Sequence, residues 1–124
     1  MSQDVVSDGL NEIMNAKRAG KNFVIIKKYS KVLLGILAIG KLKNYIKNYS
    51  VKDKVLEIEF GRLNACKAVK PRYVVKAHMI EKYVRRYLPS RNMGVIIIST
   101  SQGLMTHQTA QQRKIGGSVV AYLY

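Results

Sequence analysis

The sequence is poor in cysteine and proline, and each shortage excludes a class of protein. Cys66 is the only cysteine, so the 124-residue chain forms no internal disulfide and fits a reducing compartment best. Two prolines and nine glycines exclude a collagen-like chain. Apolar residues make up 48% of the sequence, which is too many for a disordered polycation. We therefore expect a folded chain with a core of its own.

Long hydrophobic runs are also missing. The longest uncharged apolar run, residues 32–40, has nine residues, whereas a membrane span needs about 20. The N-terminus is acidic and polar, without the basic and then apolar order of a secretory signal. These features predict a soluble, cytoplasmic protein that does not enter a membrane.

Acidic residues are the third shortage. Lysine and arginine number 22 against seven acids, which gives a formal charge of +15. Ten cations and no acid lie between Glu12 and Asp53, and six cations and no acid follow Glu81. Such self-repulsion favours a polyanionic partner, and nucleic acid fits better than a membrane because no basic helix with an aromatic apolar face stands out. The second run contains three candidate phosphate contacts, Arg91, Arg113 and Lys114.

The apolar periodicity predicts an α+β fold in two small helix-on-sheet subdomains, with the element orders αβαββ and βαβαβ. The break in pattern around residues 66–72, which contains Pro71, places the boundary between domains 1–65 and 66–124. The second half is predicted as strands over 73–76, 95–98 and 119–123 and helices over 78–88 and 106–114.

The most unusual stretch, Ser99-Thr100-Ser101-Gln102-Gly103, follows a strand that must be buried. It presents three hydroxyls, a carboxamide and a glycine that permits a tight turn. Hydroxyls both donate and accept hydrogen bonds, so this loop suits the 2′-hydroxyls, base edges and phosphates that RNA displays. An ordinary polar connection or helix cap is the alternative interpretation.

Candidate catalytic and metal-binding groups are sparse. The soft metal ligands Cys66, His78 and His107 are spread through the sequence, which predicts no metal site. His107, beside the hydroxyl loop, could act as a base, but a helix-start residue near a phosphate is the favoured interpretation. We expect no cofactor and no small-molecule substrate.

Among the eight tyrosines, Tyr73 is the best candidate for stacking on a base. We expect it to be exposed, and it directly follows Lys70, Pro71 and Arg72 in the sequence.

Three groups of motifs resemble a known family. They are DVVSDGL, NAKRAG and YSK at 4–10, 15–20 and 29–31; AVKPRY and RYLPSR at 68–73 and 86–91; and GVIIISTSQG, MTH and GG at 94–103, 105–107 and 116–117. Together they resemble the small-subunit ribosomal protein eight family, in its archaeal and eukaryotic-cytosolic branch. The resemblance covers nearly the whole chain.

The resemblance implies a structural protein that binds the central domain of small-subunit rRNA directly and helps to assemble it. It also implies neighbouring small-subunit proteins as partners and no homo-oligomer. The family's Ser-Thr-Ser-x-Gly loop falls on Ser99, Thr100, Ser101 and Gly103, and its basic N-terminal face on Lys17, Arg18 and Lys31.

Three departures limit what is carried over. Lys67 stands where this branch usually has glycine, and Ser118 follows the paired glycines where a charge is frequent. The segment 40–53 looks shortened and lysine-rich. Two other functions stay open: a non-ribosomal nucleic-acid binder of KH-like or chromatin type, and an RNA-processing enzyme that uses His107 with Ser101 or Glu81.

Overall fold

A computed structural model describes residues 5–69, 72, 74–90 and 93–124. The chain divides into two compact units, Met1–Lys67 and Ala68–Tyr124. The boundary after residue 65 that the sequence places between two subdomains stays a prediction. Lys70, Tyr73 and Arg91, which sequence analysis proposed as RNA contacts, lie outside the described residues.

The first unit places two helices on a three-stranded antiparallel sheet. Its elements are α1 (Val5–Arg18), β1 (Phe23–Ile26), α2 (Lys31–Leu42), β2 (Ile46–Lys52) and β3 (Val55–Phe60). The strand order is β1-β3-β2, so β3 is central. Leu56 and Ile58 of β3 are buried while Glu57 and Glu59 are exposed, which is the alternation of a half-buried strand.

The second unit is built on a larger sheet. Its elements are β4 (Cys66–Ala68), β5 (Val74–Val75), a 3-10 turn (Ala77–Met79), α3 (Ile80–Tyr87), β6 (Val95–Thr100), β7 (Gly103–Thr106), α4 (His107–Arg113) and β8 (Gly117–Leu123). The strand order is β4-β8-β6-β7, and β5 also pairs with β8. The first strand, β4, begins before the boundary between the units.

The α+β class is confirmed, but the second half holds two strands more than the predicted βαβαβ order. The first, β4, lies in the region where the pattern breaks. The second, β7, forms a hairpin with β6, so Ser99 and Thr100 are strand residues rather than loop residues. Periodicity missed β7 because four residues are too few to show an alternation.

Close packing of the backbone requires glycine at position 117, where β8 begins. A Cβ atom on Gly117 would lie 2.3 Å from the carbonyl oxygen of Ser99, so the backbones of β8 and β6 approach more closely than any side chain permits. A β-bulge between Ile97 and Ile98 then bends the ladder. This close pairing fixes the strand that carries the hydroxyl hairpin.

Candidate nucleic-acid interface

The hydroxyl segment is a two-residue turn at the end of the β6–β7 hairpin. Thr100 pairs with Gly103, which leaves Ser101 and Gln102 at the exposed tip. Gly103 has φ of +106°, a conformation that side chains rarely adopt. Glycine at this position therefore lets the strand return immediately.

The three hydroxyls have different roles. Thr100 Oγ1 donates to the carbonyl oxygen of Gly103 at 2.9 Å and accepts from the backbone N–H of Gln102 at 3.0 Å. This hydroxyl therefore holds the turn together. Ser99 is half-buried and lies between β7 and β8, where it pairs with Leu104 and Ser118. Ser101 is exposed, and its hydroxyl has no hydrogen-bond partner within the described parts of the chain.

A cation lies at the same tip. The guanidinium Nη1 of Arg113, in the last turn of α4, donates to the carboxamide Oε1 of Gln102 at 2.9 Å. Lys114 follows as the exposed C-terminal cap of α4, with a left-handed φ of 56°. The turn thus combines a free hydroxyl, a carboxamide and a guanidinium, the donors and acceptors that bind sugar hydroxyls and phosphates.

His107 has a structural role instead of the surface role that sequence analysis assigned to it. It does begin α4, after Thr106, whose hydroxyl caps the helix by accepting from the Thr109 N–H at 3.2 Å. Its ring, however, is only 3% exposed, and Nδ1 accepts the backbone N–H of Ile96 at 3.1 Å. The imidazole thereby continues the β6–β7 pairing past the end of β7 and ties α4 to the sheet. The buried His107 ring is therefore not available to contact RNA in this structure.

The second unit is almost uniformly cationic. Residues 68–124 contain nine lysines and arginines and a single acid, Glu81. The carboxylate of Glu81 accepts a hydrogen bond from Gln111 Nε2 at 3.2 Å. Arg72 is exposed. The hairpin tip therefore belongs to a unit of strongly positive net charge, which attracts polyanions.

Three cations of the second basic run, which were not singled out as candidate RNA contacts from the sequence, lie on α3. Lys82, Arg85 and Arg86 are exposed along one short helix, and the guanidinium of Arg86 lies 5.5 Å from the ring centre of Tyr87. Their spacing of three and four residues was the available signal, because such residues share a helix face.

Four tyrosines of this unit stack on one another. Tyr83, Tyr87, Tyr122 and Tyr124 form a ladder with ring centres 5.3–6.3 Å apart, and all four are half-buried. They pack against the core beneath α3. Their aromatic surface is thus used mainly inside the fold.

The basic N-terminal residues belong to the first unit. Lys17 and Arg18 end α1, where positive charge complements the negative end of the helix. Lys31 is exposed at the start of α2, beside the capping hydroxyl of Ser30. All three side chains are thus held at helix ends.

Other site types find no support among the described residues. No three histidine, cysteine or acidic side chains there come together as a metal site. None of the helices described has the length and apolar character needed to cross a bilayer. Burial raises the pKa of the Cys66 thiol to about 12, and Cys66 Sγ donates to the Leu10 carbonyl at 3.7 Å.

Comparison with known proteins adds independent findings. The family model described as Ribosomal protein S8 matches residues 4–124. The chain is 40% identical over 129 residues to small ribosomal subunit protein uS8 of Nanoarchaeum equitans, with all of both chains covered. It is 38% identical over 127 residues to the proteins uS8A and uS8B of Schizosaccharomyces pombe, with 98% of each chain covered. An archaeal and a eukaryotic relative agree with the branch that the motifs resemble.

Proposed function

This chain belongs to the ribosomal protein S8 family, and from that premise we propose that it binds the central domain of small-subunit rRNA directly and helps to assemble it. The family is a structural component of the ribosome, so the chain is not an enzyme. We place the protein in the cytoplasm, within the small subunit and next to other ribosomal proteins. The RNA-processing enzyme considered from the sequence is thereby set aside.

The observation that carries the proposal is the 2.9 Å hydrogen bond between Arg113 and Gln102 at the hairpin tip. It holds a guanidinium at the tip on which Ser101 is also exposed, in a turn that the Thr100 hydroxyl and Gly103 stabilise. A folded RNA offers phosphates and 2′-hydroxyls a few ångströms apart, and this pairing of groups can bind both at once. The tip therefore provides local recognition.

Cations elsewhere provide affinity and orientation. Contacts to phosphate position a protein on RNA without reading its sequence. We assign this part to the following residues: Lys17, Arg18, Lys31, Arg72, Lys114 and, on α3, Lys82, Arg85 and Arg86. Lys70, Tyr73 and Arg91 stay sequence-based predictions for the same surface.

The salt dependence of binding tests this function. If about 6–8 phosphates are neutralised, log K against log[salt] should have a slope of about −4 to −7 for a central-domain rRNA fragment. Filter binding of the full chain between low and moderate salt measures the slope. A slope near zero would contradict the proposal. Sedimentation separates the two binding functions: the chain should sediment with small subunits, whereas a non-ribosomal nucleic-acid binder should not.

A further inference from the structure

The three-stranded sheet of the first unit has a second face that none of the proposed RNA contacts uses. Along β3, Glu57 and Glu59 project to this face, opposite the buried Leu56 and Ile58. We call it the outer sheet face, and define it by Phe23, Ile25, Glu57 and Glu59.

The strand register sets two large apolar side chains beside the two carboxylates. Phe23 of β1 pairs with Glu59, and Ile25 pairs with Glu57. Phe23 is 55% exposed and Ile25 is 49% exposed, although both are of a type that normally packs inside. A shallow groove of about 530 Å³ runs over Phe23, Glu57 and Glu59 and also borders Asn22, Ser50 and Lys52.

The charge of this face differs from that of the chain as a whole. Among the described residues, the ion pair there is Lys47 to Glu59 at 3.3 Å, between side chains that are 70% and 47% exposed. Such an exposed pair binds weakly and can be exchanged for another partner. Glu57 has no ion pair within the described parts of the chain. The outer sheet face therefore offers apolar surface and carboxylates in a chain of formal charge +15.

We propose that the outer sheet face is the docking surface for another protein of the small subunit, through a segment that carries lysine or arginine next to an apolar side chain. The apolar side chain covers Phe23 and Ile25, and the cation pairs with Glu57. RNA fits less well here than on the second unit, because Glu57 and Glu59 match the nearby cations Lys47 and Lys52 in number and leave no excess of positive charge for phosphates. A second copy that used the same face symmetrically would place Glu57 against Glu57.

Site-specific photo-crosslinking inside assembled particles tests the proposal. Phe23 is replaced by p-benzoylphenylalanine, which keeps an aromatic ring at the position, and small subunits that contain this chain are purified and irradiated. The same probe at Leu42, which is 78% exposed on α2, serves as the control site. The adduct at position 23 should be a single protein, crosslinked within a segment that holds lysine or arginine.

Charge variants in the Phe23-probe background test the cation. Glu57→Lys should lower the crosslink yield about fivefold or more, and Glu12→Lys, an equal charge change on exposed α1, should change it less than about twofold. Thermal melting checks that both variants fold.

The remaining outcomes would each overturn the docking proposal. They are adducts to rRNA, adducts to a second copy, a crosslink yield no higher than at Leu42, or a crosslink yield that Glu57→Lys does not change. RNA binding is measured separately by filter binding, so a failure of docking is distinguishable from a failure of the proposed function. Absence of the chain from small subunits would overturn both.

Discussion

The two units each contain a β-hairpin with a two-residue turn, and the two turns are chemically different. In the first unit, Asp53 and Lys54 form the turn with φ values of 51° and 64°, as in a type I′ turn. In the second unit, Ser101 and Gln102 are uncharged, the Thr100 hydroxyl holds the turn, and Arg113 bonds to it. The first turn is formed by two charged residues, whereas the second displays a hydroxyl and a carboxamide that we propose contact RNA.

The two units also differ in how many acidic residues they contain. Residues 1–67 hold six of the seven acids, while residues 68–124 hold one. A polyanion therefore meets a nearly uniform positive surface only in the second unit, whereas the first unit can bind partners of either charge. On our proposals, one small protein would divide RNA recognition and protein docking between two similar helix-on-sheet units.

The largest expected effect on RNA affinity comes from Gly117→Ala. Its new Cβ would meet the Ser99 carbonyl oxygen at 2.3 Å, and such overpacking costs about 1–3 kcal/mol or more of unfolding free energy. Since Ser99 precedes the hairpin tip, RNA affinity should fall as well. Denaturant melts and filter binding measure the two effects.

Leu56→Ala provides the matched variant in the first unit. Leu56 is fully buried, so its truncation should cost about 2–5 kcal/mol. At a temperature where both variants are folded, only Gly117→Ala should bind the rRNA fragment less tightly. Equal losses of affinity would remove the distinction between the units.

Arg113→Gln should have the next largest effect. It removes the guanidinium beside Gln102 and, with it, a charge-assisted contact, so binding should weaken about tenfold. Arg62→Gln removes an exposed cation from the first unit and should weaken binding less than about threefold, as loss of one screened charge does. Competition filter binding compares them, and a larger effect at Arg62 would reverse the assignment.

Thr100→Val should produce a smaller loss. It deletes the hydroxyl that bonds to Gly103 and Gln102 but keeps the branched shape that suits a strand, so about 1 kcal/mol of unfolding free energy should be lost. Thr100→Ser keeps the hydroxyl and should recover most of the loss. Thermal melts of the three proteins decide the matter, and an unchanged melting temperature for Thr100→Val would refute the role of the hydroxyl in the turn.

The smallest effect concerns Cys66 and appears only at alkaline pH. Burial raises its pKa from 9.0 to about 12, so the unfolded chain loses the proton first as pH rises. Stability is then unaffected below about pH 8 and falls by less than about 1 kcal/mol near pH 9.5. Cys66→Ala should lack this alkaline decline, which urea melts at several pH values can detect. A decline of the same size in Cys66→Ala would assign it to other groups.

Much of the fold could be predicted from the sequence, because local patterns of apolar and capping residues mark its longer helices and strands. The alternation of Leu56 and Ile58 with glutamates marked the half-buried strand, and Ser30 marked the start of α2. The short strands β4 and β7 could not be found, since three or four residues carry no period and are ordered by their neighbours in the sheet.

The composition of the candidate site can be read from the sequence, but its arrangement cannot. Ser101 and Gln102 were identified from the hydroxyl-rich segment, yet nothing local showed that Thr100 would hold the turn. His107 stands next to polar residues in sequence, but its nitrogen accepts a backbone N–H from β6, a contact that only the folded sheet creates. Arg113 reaches Gln102 for the same reason.

One measurement tests most directly whether the hairpin of the second unit reads the RNA while the first unit only positions it. Ser101→Ala and Lys17→Ala are compared by filter binding on a central-domain rRNA hairpin and on a random RNA duplex. Ser101→Ala should weaken binding to the rRNA hairpin about five- to tenfold and leave duplex binding nearly unchanged. Lys17→Ala should weaken both alike. Equal losses on both RNAs from Ser101→Ala would contradict this division of roles.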